Sequence, residues 1–232
     1  MRSRIAVLAS GGGSNLQALL DYFDALGEHR AGDVVLVASN REDAGALERA
    51  ARHEIPTAVL VAPGPSILDE LLITNAIDLV VLAGYIRLVP AEIVAKYAGR
   101  IVNIHPALLP AFGGPGMYGQ RVHRAVIESG ARVTGATVHF VNEIYDRGRI
   151  IAQWPVPVFS SDDAASIAAR VLRVEHLLYP RVVQGVASGR FTLQNCPTTG
   201  ASFIDSRPAF TLLPHEDSRL AENIELALGE GC

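Results

Sequence analysis

Asn103 and His105 stand two positions apart at the end of the apolar run 101–104, the most chemically suggestive spacing in the chain. If that run is a β-strand, residues i and i+2 face the same way, so a carboxamide and an imidazole project together beyond its carboxyl end. An amide N–H beside a ring that takes or gives a proton suits a reaction in which an oxyanion forms while a proton moves. Taken alone, an Asn-x-His pair is equally compatible with a structural hydrogen-bonded pair. The Pro-rich continuation to Pro110 and the run Phe112-Gly113-Gly114-Pro115-Gly116 add a stiff wall and a pliant lip, a composition common beside sites.

The second candidate is Ser10-Gly11-Gly12-Gly13-Ser14-Asn15, between a first apolar run and a first helical pattern. Consecutive glycines let several backbone N–H groups converge at a helix N-terminus, where an anion is favoured. A dinucleotide site needs a further glycine where Leu16 stands, and an acid after the second strand where Ser39-Asn40-Arg41 stands. The loop therefore reads as a phosphate site and not as an NAD site; a ligand-free glycine turn is the plainer alternative.

Two carboxylates and one more histidine complete the set. Asp146 sits in a turn-like stretch, Tyr145-Asp146-Arg147-Gly148, where Asp is ordinarily turn chemistry. Glu175 falls on or beside the apolar stripe of a long helical pattern, where a carboxylate costs stability unless it is paired or wetted. His139 alternates with apolar residues on a strand and reads either as lining a site or as a satisfied core histidine. The remaining histidines have no metal-ligand spacing, and no metal is expected.

The elements that must position these groups follow from periodicity. Apolar runs at 5–9, 34–38, 58–61, 79–82 and 101–104 alternate with helical patterns at 14–26, 42–53, 67–76 and 91–97. Ser14 and Gln17 have the spacing of a capping box. Strands apolar on both faces and separated by helices predict a doubly wound α/β domain with a mostly parallel, Rossmann-like sheet. From Val133 the pattern alternates, with Ala136, Val138 and Phe140 opposed to Thr137 and His139. A further strand at 149–158 carries Pro155 and Pro157, which suit a sheet edge, so the later strands are partly antiparallel. A long helix opens at Ser160-Ser161-Asp162-Asp163, and Pro180 is expected to kink or end it. Beyond 190 lies a C-terminal appendage, a tail with a weak helical pattern at 220–228 that carries the whole formal charge of −4.

Composition removes several classes. Nineteen of the twenty basic residues are Arg, and the sole Lys, Lys96, follows no glycine loop, which excludes a Walker-type NTPase and weighs against Schiff-base chemistry. Net acidity argues against non-specific nucleic-acid binding. Cys196 and Cys232 cannot form a disulfide framework or a four-ligand zinc site. No apolar run approaches the roughly 18 residues of a membrane span. No targeting segment is apparent, and a cytoplasmic protein is expected.

Taken in order, Ser10–Asn15, the run 81–87 (Val-Leu-Ala-Gly-Tyr-Ile-Arg), the run 103–110 (Asn-Ile-His-Pro-Ala-Leu-Leu-Pro), the run 135–140 (Gly-Ala-Thr-Val-His-Phe), Asp146 and the run 175–180 (Glu-His-Leu-Leu-Tyr-Pro) resemble the phosphoribosylglycinamide formyltransferase family over about 5–190. The resemblance implies a formyltransferase domain at 1–190, with a phosphate-binding half at 1–104 and a folate and catalytic half at 105–190, followed by the acidic tail 191–232. It implies formyl transfer from 10-formyltetrahydrofolate, a co-substrate, to the amine of glycinamide ribonucleotide, with small-molecule substrates and neither nucleic acid nor membrane as partner. Asn103, His105 and Asp146 would be the catalytic trio. Gly11, Gly12, Gly13, Ser14, Asn15 and Glu175 would hold the ribonucleotide, with Arg87, Leu88, Val89, Asn103, Val141, Asn142 and Glu143 on the folate. Sister enzymes share the trio: a hydrolase of the same folate lacks the amine acceptor, and the tRNA enzyme would carry a basic C-terminal domain where this tail is acidic. Two departures stand out: the stretch 61–75 lacks the Arg with which the family grips phosphate, and the lip 112–120 is longer than usual, leaving the place of His123 open. Oligomeric state is not legible; a homodimer is compatible.

Overall fold

The computed structural model describes residues 1–60, 65–195 and 217–229. Cys196, Cys232 and the expected end of the third strand at Val61 lie outside these residues.

Seven strands form one sheet: β1 (Ser3–Ala9), β2 (Gly32–Ser39), β3 (Thr57–Val59), β4 (Leu79–Leu82), β5 (Ile101–His105), β6 (Val133–Phe140) and β7 (Ile150–Pro157), in the order β3-β2-β1-β4-β5-β6-β7. The first five run parallel, while β6 pairs antiparallel with β5 and β7 with β6. The proline-bearing β7 is an edge strand, where its missing N–H donors cost least.

Helices α1 (Ser14–Leu26), α2 (Gly45–Arg52), α3 (Pro65–Thr74), α4 (Ala91–Lys96), α5 (Gln120–Glu128), α6 (Ala164–Ala187) and α7 (Asp217–Gly229) cover both faces. The two cores come directly from strand alternation. Ile5, Val7 and Ala9 pack beneath α1, α2, α5, α6 and α7, while Ala6 and Leu8 pack beneath α3 and α4. Strand order reverses beside β1, between β1 and β4, so their carboxyl ends leave the crevice in which ligands of such sheets bind.

Three local expectations are corrected. The Ser14–Gln17 capping box does not form: Gly13, at φ 74°, is the N-cap and Ser14 is already helical. A Cβ on Gly13 would lie 2.7 Å from Ala46 Cα, so both conformation and space demand glycine there. Gln17 instead donates to Asp21, and the first amides of α1 receive no side-chain cap. Second, Pro180 lies inside α6 without ending it. A helix-interior proline costs about 3 kcal/mol, whereas Leu178, Tyr179, Val182 and Val183, all fully buried around it, are each worth about 1.5–3 kcal/mol. Third, α5 occupies a stretch to which the sequence pattern assigns no element. Val122 and Val126 supply its buried face, but the glycine-rich lip before them obscures the periodicity.

Candidate active site

The alternation of β5 turns Asn103 and His105 to one side at its carboxyl end, and antiparallel pairing sets His139 of β6 opposite Asn103 and Thr137 opposite His105. Beyond them opens a cavity of about 540 Å³, walled by the 84–89 loop, the 114–120 lip, the 141–146 turn and one face of α6. The loop after β5 is pinned from below. Thr137 Oγ1 donates to the Ala107 carbonyl at 2.6 Å and accepts from the Leu109 N–H at 3.0 Å.

Hydrogen-bond chemistry fixes the protons in this cluster. His139 Nδ1 lies 2.8 Å from the Phe140 carbonyl, which only accepts, so Nδ1 carries the proton. In the neutral ring Nε2 is then bare and accepts from Asn103 Nδ2 at 3.1 Å. The second hydrogen of that amide is left to point elsewhere. His105 follows the same logic: its Nε2, 2.9 Å from the Phe112 carbonyl, bears the proton. Its Nδ1 then presents a lone pair, 3.6 Å from Asp146 Oδ2. Asp146 Oδ1 lies 3.6 Å from His139 Nε2, so the carboxylate stands between two imidazoles at separations that one proton or one small rearrangement would close.

Asp146 reaches this place by a sharp turn. Its φ is 52°, and the Gly114 N–H donates to Oδ2 at 2.8 Å, tying turn to lip. A Cβ on Gly148 would lie 1.6 Å from the Phe140 carbonyl oxygen, so only glycine lets the chain pass so close to β6.

Burial and charge compete at these groups. Burial lowers the His105 pKa, and the Asp146 charge and the Phe112 carbonyl only partly offset it, so the ring rests neutral. Asp146 by itself lifts the imidazole, but burial sets the net direction. Burial raises the Asp146 carboxyl, but His139 and His105, whenever the nitrogen facing it carries a proton, and the Gly114 N–H outweigh burial and hold the pKa below the ordinary value.

Glu175 projects from α6 into the same cavity, 6% exposed, with Oε2 accepting from Asn15 Nδ2 at 2.7 Å. Burial pushes its pKa up to about 7, against the opposing Asn15 bond. One turn further along α6, the buried Tyr179 hydroxyl lies 2.9 Å from the Leu82 carbonyl and 3.1 Å from that of Val102. That contact seats α6 on the ends of β4 and β5 and thereby aims Glu175.

Of the residues singled out from sequence, Asn15, Arg87, Leu88, Val89, Asn103, His105, His139, Val141, Asn142, Asp146 and Glu175 all line the cavity. Gly11, Gly12, Gly13 and Ser14 lie outside its lining, in the loop leading to Asn15, and Glu143 is exposed and does not line it. Sequence reasoning did not single out Ile144 or Leu172, assigned no role to the Met117–Tyr118 tip of the lip, and left open the place of His123, which lines the cavity at 4% exposure. Burial, followed by the neighbouring His105, lowers the pKa of His123. The signal for it was a histidine beside the Val122–Val126 pair. Among the described residues, no group of three or more His, Cys, Asp or Glu could hold a metal ion.

Fold and site together define a doubly wound α/β protein with a ligand cavity, bearing an amide, an imidazole and a carboxylate, at the carboxyl end of its parallel strands. The sequence model described as formyl transferase matches residues 3–183, and the chain belongs to that family. A chloroplastic phosphoribosylglycinamide formyltransferase of Arabidopsis thaliana is 47% identical over 199 residues, 82% of this chain and 67% of that protein. The phosphoribosylglycinamide formyltransferase of Escherichia coli is 42% identical over 196 residues, covering 82% and 89%. The crystal structure of glycinamide ribonucleotide transformylase 1 from Symbiobacterium toebii superposes with a TM-score of 0.75 at 40% identity, covering 83% of this chain and 91% of that one. The chain is thus a formyltransferase, with the doubly wound fold expected of one.

Proposed function

We propose that this protein transfers the formyl group of 10-formyltetrahydrofolate to the primary amine of glycinamide ribonucleotide, a step of purine biosynthesis. The observation that carries this reading is the convergence of Asn103, His105 and Asp146 on one cavity that also holds Glu175 and Asn15. Folate would lie against the 87–89 and 141–142 walls, and the ribonucleotide would run from Glu175 toward the glycine loop 11–15.

The reaction joins the amine nitrogen to the formyl carbon and breaks that carbon's bond to N10 of the folate. Attack makes the formyl oxygen an anion. The hydrogen of Asn103 Nδ2 not given to His139 is available to it, as is an N–H on His105 Nδ1 once that nitrogen is protonated. The attacking amine must lose a proton and the departing N10 must gain one. The bare His105 Nδ1, facing the Asp146 carboxylate, is the group suited to take the first and return it as the second, with Asp146 stabilising the imidazolium between the two events. Resting neutrality of His105 is what a proton acceptor requires.

The test is an absorbance assay for deformylated folate with glycinamide ribonucleotide present and then omitted. Product release that requires the acceptor supports the transferase. Release that ignores it would instead make the protein a folate hydrolase.

A further inference from the structure

Between the glycine loop and the 84–89 wall of the cavity stands a side chain that lines neither. Ser10 directly follows β1, is 5% exposed and does not line the cavity. The sheet order places β1 between β2 and β4, so Ser10 sits between Asn40, just past β2, and the wall that follows β4. Its hydroxyl lies 2.5 Å from Asn40 Oδ1 and 3.0 Å from the Ile86 nitrogen, and its own N–H donates to the Gly84 carbonyl at 3.2 Å. A hydroxyl has one proton to give. The carboxamide oxygen only accepts and the Ile86 N–H only donates, so the proton points at Asn40 and a lone pair at Ile86.

Two further observations give this tether a purpose. The 84–89 wall has no regular secondary structure, and its Ile86 and Leu88 side chains are 42% and 49% exposed, so apolar packing anchors its middle only weakly; Val89, at 3%, is buried at the far end. On its other side Ser10 runs straight into the glycine loop, which helix α2 holds in place. There the Ala46 N–H donates to the Gly11 carbonyl at 3.1 Å, and Arg49 Nε to the Gly12 carbonyl at 2.7 Å. The hydroxyl thus ties a weakly packed wall to a fixed loop.

We propose that Ser10 is a positioning residue: aimed by Asn40, its hydroxyl holds Ile86 and sets the separation between the folate-facing wall and the glycine loop. Reactants presented from walls at a fixed separation meet in a productive geometry more often than from walls that drift. The inference rests on the reading given above, in which these walls face the folate and the acceptor, and adds to it a residue outside the cavity lining.

The test is calorimetric titration of the full chain with 5-formyltetrahydrofolate and, separately, with glycinamide ribonucleotide. Ser10→Ala leaves the Ile86 N–H without its acceptor and is expected to weaken 5-formyltetrahydrofolate about tenfold. Glycinamide ribonucleotide should bind that variant within about twofold of the parent, a selectivity that general loosening of the fold would not produce. Asn40→Ala, at a partly exposed position, keeps the hydroxyl but frees its proton, and should weaken the folate probe about threefold. The double variant should bind that probe no worse than Ser10→Ala, because Asn40 acts through Ser10. Unchanged folate affinity in both single variants, equal losses for the two ligands, or multiplicative losses in the double variant would overturn the proposal. If Ser10→Ala does not fold, Asn40→Ala decides alone: a folate-selective loss supports the tether and unchanged affinity overturns it. A parent that binds the folate probe but shows no acceptor-dependent turnover would sink the acceptor reading, while a folate-selective loss in Ser10→Ala would still support the role of Ser10.

Discussion

Asn103 and His139 are direct partners across β5 and β6, and Asn103 Nδ2 donates to His139 Nε2 at 3.1 Å. Because the Phe140 carbonyl holds the other ring nitrogen protonated, the direction of that bond is set by backbone chemistry. The carboxamide is thereby oriented before any substrate arrives, and a preorganised donor is worth more than one that must reorient.

A double-mutant cycle tests this relationship. Asn103→Ala should lower kcat by about 10²–10³, as for other lost oxyanion donors, with KM values within a few-fold. His139→Ala should cost less, about tenfold, since the amide survives but is free to rotate. If His139 acts through Asn103, adding His139→Ala to Asn103→Ala should cost almost nothing further. Multiplicative losses in steady-state kinetics would show that His139 has a separate part in the reaction.

Glu175 ties stability to pH in a direction opposite to most carboxylates. Its pKa rises from 4.5 unfolded to about 7 folded. The folded state therefore favours the proton: the contribution is fully present below pH 4.5 and is lost as pH climbs through 7. Converted at about 1.4 kcal/mol per unit, the difference is of order 3 kcal/mol. Glu175→Gln keeps an oxygen to accept from Asn15 and removes the charge. Denaturant melts should find the variant matching the parent near pH 4.5 and exceeding it by up to about 3 kcal/mol near pH 8. The buried His105 and His123 and the half-buried His176, all with lowered pKa values, act in the opposite sense, weakening the fold as pH falls below 6.5, and do so equally in both proteins. Parallel stability curves for the two proteins would refute the assignment.

What could be read from the sequence divides along physical lines. Strands β1, β2, β4 and β5 announce themselves because burial on both faces forces continuous apolar runs, and α6 because polar Ser160–Asp163 precedes a long apolar stripe, with Asp163 and Ser166 closing a capping box in the structure. Asn103 and His105 are legible because strand alternation is local. His123 was not, because its helix follows seven residues of glycine-rich lip with no period. The Arg49 contact with Gly12 spans 37 positions and depends on how α2 seats against the loop, which no local pattern encodes. Pro180 misleads for the complementary reason: propensity is local, whereas the burial that overrides it comes from the sheet beneath.

The last helix shows how far such tertiary effects reach. Leu220, Ile224 and Leu228 fall at successive four-residue steps along α7 and are 8%, 0% and 7% exposed in the core shared with α1 and α6. Arg181 of α6 pairs with Glu225 at 2.7 Å while its guanidinium lies 5.0 Å over the Tyr22 ring of α1, so one side chain joins three helices. The ion pair is more than half exposed on the Glu225 side and contributes little; the apolar stripe carries the docking. Ile224→Ala should therefore cost about 2–5 kcal/mol in urea unfolding, whereas Glu225→Ala should cost under about 1 kcal/mol. Because none of the three apolar residues lines the cavity, turnover by Ile224→Ala at 25 °C should stay within twofold of the parent. An Ile224→Ala protein as stable as the parent would mean that α7 does not dock on α1 and α6 in solution.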